Sequence, residues 1–410
     1  MKSPSELTSG MRSNGYLYAL FTICFLGSAF GGVTATLMSS YLPVVLAGVN
    51  IHHEEHETTG AIINSVYLFG MLAGGLLFGF MGDKYGRKPG VLISIICIGL
   101  FTLLTSFSYN WTAVAIFRFL SGAGVGGVLV TTTILIAEEW KDNTRNIVLG
   151  ILSITIPVGI FAAGLITYTI SSWRTGFLTG ILPLLLAGIA YVTLDESKCW
   201  KKEPAEKPAE DNISIFHPSV LYDLVIGCII YGSMLIGLWA IFLWLPTWVQ
   251  TMVHDSDGQK ERGLSMMLFA VGGLLGGFVS GWMCNLVGIK RALLVCFAAV
   301  FAFSFMLFKL NETFTVFSYL HMAGIAVFFG MSQGVLNVYI PELFPTSIRS
   351  SATGFCFNIG RTFTAAAVLF VGWMVTTLGG YGNALFIFSF IFLVGLIATL
   401  FAREKHLLKT

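Results

Sequence analysis

Charged residues are scarce in this sequence. Asp, Glu, Lys and Arg together make up only 11% of its 410 residues. Soluble domains carry about 25% charged residues, so this composition excludes a soluble globular protein. The net charge of +2 carries no information about nucleic acid, which is not expected as a partner.

Catalytic motifs are also missing. The sequence contains no nucleophile elbow, no phosphate-binding loop and no zinc-binding helix. Its one glycine-rich stretch, residues 122–127, lies inside a long apolar run, where a nucleotide cannot bind. An enzyme and a bound cofactor are therefore not expected.

Paired cysteines are the third absence. The seven cysteines follow no disulfide or metal-binding spacing, and most lie inside apolar runs. We interpret them as small core residues, with neither disulfides nor metal ligands among them. They are Cys24, Cys97, Cys199, Cys228, Cys284, Cys296 and Cys356.

What the sequence does contain is long apolar runs. Over the whole sequence 55% of the residues are hydrophobic, and the mean hydropathy is +0.81. A helix of about 20 apolar residues crosses a bilayer, and only helices satisfy the backbone within such runs. The sequence thus predicts an all-α integral membrane protein with twelve transmembrane helices. The predicted spans are 16–47, 59–81, 89–108, 111–137, 146–170, 173–194, 220–249, 263–285, 291–309, 313–340, 350–378 and 381–402.

A charged segment, residues 195–219, divides the spans into two sets of six. Its lysines, acidic residues and two prolines predict a solvated linker. The domains expected are an N-terminal tail (1–15), a first six-helix bundle (16–194), the linker, a second bundle (220–402) and a short tail (403–410).

The distribution of basic residues predicts the orientation. Seventeen of the 23 Lys and Arg residues fall on the side of the termini and the linker, including Lys84, Arg87 and Lys88. Four fall on the other side, and two lie within spans. By the positive-inside rule both termini and the linker are cytoplasmic, and a bacterial inner membrane is the expected location.

The two halves repeat each other. Residues 60–86 parallel residues 263–288, and the segment from Glu138 to Arg145 parallels the segment from Glu342 to Arg349. Duplicated six-helix halves place a substrate site between them, near the middle of the bilayer.

Several motifs carry a family resemblance. One is Gly79-x-x-x-Asp83-x-x-Gly86-Arg87-Lys88 between spans 2 and 3, and a second is Arg118-x-x-x-Gly122-x-Gly124-x-Gly126 in span 4. A third segment begins Pro341-Glu342-Leu343-Phe344-Pro345. Together they resemble the major facilitator superfamily, and the third resembles its metabolite:proton symporter and organic-ion transporter branches. The resemblance implies two pseudo-symmetric six-helix bundles, transport by alternating access and a monomer.

Two arginines lie within spans, where an ionised side chain costs several kcal/mol unless it is paired or faces water. Arg361 in span 11 and Arg118 in span 4 are candidates for binding an anionic substrate, and Arg118 also for proton coupling. Alternatively, each is structural: Arg118 bonded to backbone carbonyls, Arg361 to a partner elsewhere.

Acid symporters that this chain resembles usually carry an aspartate in span 1, which has no carboxylate here. His321 is therefore the best protonatable candidate for coupling, and a neutral histidine, hydrogen-bonded near the outer interface, is the competing interpretation.

Uncharged polar and aromatic side chains within spans are candidates for the cavity wall, or for lipid-facing and core positions. They are Tyr41, Asn64, Tyr67, Tyr231, Trp239, Trp244, Gln333, Asn337 and Asn358.

Six charged residues at the cytoplasmic ends of spans are predicted to form a gate that closes this face in one state and separates in the other. They are Asp83, Arg87, Glu138, Arg145, Glu342 and Arg349. The competing interpretation is simple anchoring of the topology by surface charge.

The 52–57 stretch places His52 and His56 one helical turn apart, and a solvated loop is expected there instead of a metal site.

The sequence thus predicts a secondary transporter for a small organic anion, a carboxylate or an acidic sugar, driven by protons. The alternatives are a transporter or facilitator of a neutral solute or an organic cation, in which both arginines are structural.

Overall fold

The computed structural model describes residues 13–49, 55–140, 144–198, 200, 214–253, 257–311, 313–345 and 348–403. Over these residues, twelve helices are long and apolar enough to cross a membrane. They are α1 (Asn14–Gly48), α2 (His56–Tyr85), α3 (Arg87–Ser106), α4 (Trp111–Glu139), α5 (Arg145–Ser153 and Thr155–Thr169), α6 (Trp173–Phe177 to Ile181–Thr193), α7 (Pro218–Met252), α8 (Gln259–Val287), α9 (Ile289–Phe305, continued by a π turn to Leu310), α10 (Val316–Glu342), α11 (Arg349–Thr377) and α12 (Tyr381–Ser389 and Ile391–Phe401).

Helix ends follow local sequence signals. At the start of α4 the side-chain oxygen of Asn110 accepts a hydrogen bond from the Ala113 N–H at 2.8 Å, which satisfies one of the free amides of the first turn. The expected seven-residue surface hairpin after span 2 is shorter than predicted. Both helices extend into it, and only Gly86, at φ 113°, interrupts them.

The same turn recurs between α8 and α9, where Gly288 has φ 86°. A positive φ of this kind is open to glycine at little cost. Gly86 and Gly288 are the last residues of the two predicted repeat segments, so the hairpins that they form are pseudo-equivalent.

Each bundle is held together by the same helix pairs. The α2–α4 contact of the first bundle corresponds to α8–α10 in the second, and α1–α5 corresponds to α7–α11. Glycines make these contacts close: a Cβ on Gly126 of α4 would overlap the Met71 carbonyl, and a Cβ on Gly276 of α8 would overlap that of Val327. Small residues serve this purpose where lipid leaves no hydrophobic driving force between helices.

The two bundles touch mainly through α5–α8, α2–α11 and α1–α7. We call the face that carries residues 13 and 403 the terminal face and the other the opposite face. The contacts lie in the half toward the opposite face. Ser39 of α1 donates to the carbonyls of Phe242 and Leu243, at 2.9 and 3.0 Å, and Gln259 of α8 donates through Nε2 to the Thr167 carbonyl at 2.7 Å. We call this contact region the seam.

Candidate functional site

Between the bundles lies a cavity of about 760 Å³. Its wall includes Ile147 and Gly150 from the first turns of α5 and Ser280 and Asn337 from the terminal halves of α8 and α10. The cavity therefore lies on the terminal side of the seam, and the seam closes it from the opposite face.

Most of the cavity wall is apolar and aromatic. Both bundles contribute, with Leu68 and Met71 from the first and Phe242, Phe269 and Phe329 from the second. Apolar pockets with few polar groups are typical of sites for small organic molecules. Such a wall favours a ligand with an apolar or unsaturated body over one covered with hydroxyl groups.

Five of the predicted site residues line this cavity, and all belong to the second bundle. They are Arg361, Tyr231, Trp239, Gln333 and Asn337. The Gln333 Nε2 is buried without a hydrogen-bond partner within the described chain. These residues supply much of the polar surface of the cavity lining.

Among the described residues that line the cavity, Arg361 is the one with a charged side chain. Within the described part of the chain, the Arg361 side chain forms neither a hydrogen bond nor an ion pair. The neighbouring turn is ordered by aromatic packing: Phe357 stacks on Tyr231 of α7, with centroids 4.2 Å apart. A guanidinium group offers a planar fork that matches a carboxylate, and in a mostly apolar cavity its charge is weakly screened.

Arg118 lies elsewhere, sealed inside the first bundle with no exposed surface. One guanidinium nitrogen donates to the Thr34 carbonyl at 2.8 Å, and the group stacks on the ring of Tyr67 at 3.8 Å. Its Nε and second terminal nitrogen have no partner among the described residues. The hydrogen bond to a backbone carbonyl is the one that a structural role of Arg118 predicts. Two further nitrogen donors of the same side chain stay unused.

The other predicted wall residues also lie outside the cavity lining. Tyr41 is buried and donates to the Ile170 carbonyl at 2.6 Å. Asn64 is fully buried, with both side-chain polar atoms unpaired over the described residues, as is the hydroxyl of Tyr67. Asn358 of α11 is half-buried and absent from the lining.

Trp244 and Thr247 of α7 also bury unpaired polar atoms within the described chain. With Asn64, Tyr67 and Arg118 they lie in the half of their helices toward the opposite face. Buried polar atoms normally find partners, so this layer next to the seam is unusual.

His321 lies in the second turn of α10, near the opposite face, and is not part of the cavity wall. Its Nδ1 is 3.1 Å from the Asn311 side-chain nitrogen, and its ring packs near Phe303. This arrangement resembles the hydrogen-bonded histidine of the competing interpretation.

Three of the six predicted gate residues form one cluster at the terminal face. The Arg87 side chain pairs with Asp83 and with Glu138, its Nε lying 2.8 Å from the Glu138 Oε1. Glu196 adds a contact that was not predicted: its carboxylate accepts from the Arg87 backbone N–H at 2.6 Å and caps the start of α3.

The other three gate residues are not joined to this cluster. Arg349 donates to the Phe344 carbonyl at 3.3 Å. Over the described residues, Arg145, Glu342 and Arg349 form no ion pair. The ion pairs of the Arg87 cluster that the described residues form therefore lie within the first bundle.

Arg262 is one of the four basic residues that the sequence places on the side away from the termini. In the structure, however, only 1% of its surface is exposed. It belongs to the first turn of α8, where one guanidinium nitrogen donates to the Asp257 carbonyl at 2.8 Å and Nε stays unpaired over the described chain. Its position three residues after the seam residue Gln259 explains the burial. No motif marks it, because the burial arises from contact between the bundles.

Half of the predicted histidine stretch, residues 52–54, lies outside the described residues, whereas His56 begins α2. Among the residues that are described, no group of three or more metal-ligating side chains is present.

Comparisons with known proteins agree with this architecture. The sequence model of the Major Facilitator Superfamily matches residues 24–367. The chain is 25% identical over 401 residues to the cis,cis-muconate transport protein of Acinetobacter baylyi, covering 94% of each chain. It is 27% identical over 380 residues to the sialic acid transporter NanX of Escherichia coli, covering 91% of each. In fold it is similar to the crystal structure of a D-xylose-proton symporter, with a TM-score of 0.79 and 18% identity over 95% of this chain and 98% of the other.

Proposed function

The chain belongs to the Major Facilitator Superfamily, and from this premise we propose that it transports a small carboxylate with an apolar, unsaturated or aromatic body. The observation that carries the proposal is Arg361: over the described residues its positive charge is unpaired, and the rest of the cavity lining is uncharged and largely apolar. The relatives support the carboxylate part of the proposal, since their names describe carriers of muconate and sialic acid, and both compounds are carboxylates.

In the proposed complex the substrate carboxylate accepts hydrogen bonds from the guanidinium group of Arg361. The body of the substrate lies against Trp239, Phe242 and Phe329. Gln333, with its unpaired Nε2, donates to a second polar atom where the substrate has one. Charge-assisted hydrogen bonds of this kind contribute about 1.5–3 kcal/mol, which is enough to discriminate an acid from its neutral amide.

The test compares benzoate with benzamide, which differ little in shape but differ in charge. We expect purified protein to bind benzoate at least tenfold more tightly, from the magnitude of about 1.5 kcal/mol or more. Arg361→Ala should remove this preference, and Arg361→Lys should keep part of it because the charge remains while the planar fork is lost. Titration calorimetry measures both affinities.

Arg291→Ala serves as the matched control, because Arg291 is an exposed arginine of the same bundle. It should leave both affinities unchanged. Equal binding of benzoate and benzamide, or an Arg361→Ala protein that still prefers the acid, would contradict the proposal and favour a carrier of neutral solutes. Muconate and sialic acid are tested in the same assay to distinguish an unsaturated from a sugar-like body.

We also propose that the two bundles alternate between two arrangements, with the terminal face in the cytoplasm. The separation of the cavity from the opposite face by the seam supports this. So does the layer of unpaired buried groups around Arg118, because parting the bundles at the seam would bring water to them and remove the cost of burying them without partners. In that second arrangement the Arg87 cluster and its counterparts Glu342 and Arg349 are proposed to close the terminal face.

Protons are the proposed driving ion, and His321 and Arg118 remain the proposed coupling residues. Proteoliposomes provide the direct test. An inward-directed proton gradient should accumulate labelled muconate, whose two carboxylates keep it from crossing the bilayer unaided, above the external concentration, whereas a facilitator would not couple its accumulation to the proton gradient.

A further inference from the structure

We propose that Cys228 and Cys356 are an oxidation site: a hydroperoxide converts the two thiols to a disulfide that ties α7 to α11, and this cross-link slows transport. The disulfide itself does not depend on the proposed function, but its effect on transport does.

The first observation is contact between two side chains that are 128 positions apart. The Cys228 thiol donates to the Cys356 Sγ at 3.6 Å, and the Cys356 thiol lies 3.8 Å from the Leu224 carbonyl. A disulfide has a sulfur–sulfur distance of about 2.05 Å, so the two sulfurs need to approach each other by about 1.6 Å.

The second observation is that α7 and α11 run close together on both sides of the pair. A Cβ on Gly227 would lie 3.3 Å from the Cys356 Sγ, and a Cβ on Gly232 would lie 3.6 Å from the Gly360 Cα. Glycines on α7 therefore let the α11 backbone approach here. Disulfides need Cα atoms about 4.4–6.8 Å apart, a spacing that only closely packed helices provide.

The two cysteines differ in access, which gives each a role. Cys356 is completely buried, whereas Cys228 is half-buried and offers surface to a small reagent. Cys228 sulfur attacks the peroxide oxygen, the O–O bond breaks, and a sulfenic acid and one molecule of water form. Cys356 sulfur then attacks the sulfenic sulfur and releases a second water. Two thiols and one hydrogen peroxide thus give one disulfide and two waters.

Position connects this bond to the site. Cys228 lies one helical turn from Tyr231, and Cys356 precedes Phe357, the residue on which Tyr231 stacks. Arg361 follows one and a half turns later on α11. A covalent link at this point fixes the spacing of two helices that both line the cavity, and any rearrangement of α7 against α11 during transport is then blocked.

The experiment uses the full-length protein in proteoliposomes, treated with hydrogen peroxide and then digested without reductant. We expect a peptide that joins Cys228 to Cys356, loss of two thiols together, and a several-fold fall in benzoate uptake. Dithiothreitol should reverse all three changes.

Cys228→Ser and Cys356→Ser should each transport normally, form no linked peptide and resist peroxide. Cys296→Ser is the matched control, since Cys296 is a buried cysteine of α9, and it should stay as sensitive as the unchanged protein. A single buried thiol oxidised to a sulfinic acid with no linked peptide, or equal inhibition of the Cys228→Ser protein, would overturn the proposal.

Peptide mapping requires no transport, so the disulfide is tested even where benzoate uptake itself fails. A linked peptide with unchanged uptake would overturn the part of the proposal that concerns transport.

Discussion

Single residues show how differently one chemical group is used in two places. Arg361 projects into the cavity without a partner in the described chain, whereas Arg118 is fully buried against Tyr67 and the Thr34 carbonyl. A cation–π contact and one carbonyl recover only part of the solvation that a buried guanidinium loses. Arg118 would therefore regain solvation in an arrangement in which the seam opens.

His321 supplies the prediction at this scale. If its protonation couples transport to the proton gradient, His321→Gln should abolish accumulation while leaving exchange of benzoate for benzoate intact, because exchange needs no net proton movement. Counterflow and pH-driven uptake in the same proteoliposomes measure the two processes. Accumulation that persists in the variant would exclude His321 as the coupling residue.

Sequence alone identified Arg361 and Arg118 as intramembrane charges but could not distinguish their surroundings. Depth along a helix follows from counting residues, whereas exposure to the cavity depends on how the helices are rotated and how the bundles meet. The same limit explains why Arg262 and the contact of Cys228 with Cys356 were missed. Neither has a local signal, since each results from contacts between helices distant in sequence.

Among the elements, the hairpins α2–α3 and α8–α9 show how one glycine ends one helix and begins the next. Gly86 has two constraints: its positive φ, and the carboxylate of Glu196, which occupies the space where a Cβ would be. Gly288 has the positive φ alone, with open space around it.

We therefore expect Gly86→Ala to destabilise the protein more than Gly288→Ala. A residue forced into this backbone region costs about 1–3 kcal/mol, and Gly86→Ala also displaces the Glu196 cap from the Arg87 and Lys88 amides. Thermal unfolding in detergent, followed by the fluorescence of a thiol-reactive dye, gives the two midpoints. Equal midpoints would show that the cap contributes nothing.

Helix positions were largely predictable because apolar runs and flanking charges determine where a chain enters and leaves a bilayer. The predicted spans 111–137 and 381–402 correspond to Trp111–Glu139 and to Tyr381–Phe401. The break of α5 at Ile154 was not predicted. There the Thr155 hydroxyl donates to the Leu152 carbonyl at 2.7 Å, a local bond that competes with the helix.

For the whole molecule, the arrangement of the two bundles is what the sequence could not supply. The repeat predicts two similar bundles and a site between them. It does not predict which face is closed, because both arrangements use the same bundles and differ only in the contacts between them.

The seam gives a prediction at this scale. Gln259→Ala removes the hydrogen bond to Thr167 and should favour opening at the opposite face. Glu342→Gln removes a carboxylate that has no ion pair among the described residues here and is proposed to help close the terminal face in the second arrangement, so it should favour the arrangement described here. A single cysteine at Ser39→Cys, in a protein without native cysteines, reports the difference through labelling by a membrane-impermeant maleimide added at the opposite face.

Labelling should rise in the Gln259→Ala protein and fall in the Glu342→Gln protein. Lys260→Cys is the control, because Lys260 is exposed at the opposite face and should label equally in all backgrounds. Unchanged labelling of Ser39→Cys in both variants would mean that neither contact controls the balance between the two arrangements.

The unpaired charge of Arg361 has an electrical consequence. In the proposed cycle a bound monocarboxylate cancels this charge and the co-transported proton restores it, so the loaded and the empty carrier reorient with the same charge. Moving a unit charge through 100 mV involves about 2.3 kcal/mol, so an interior-negative potential would favour the inward step of the loaded carrier and oppose the return of the empty carrier by similar amounts. Uptake would then be electroneutral over the whole cycle, and the pH gradient alone would set the final accumulation.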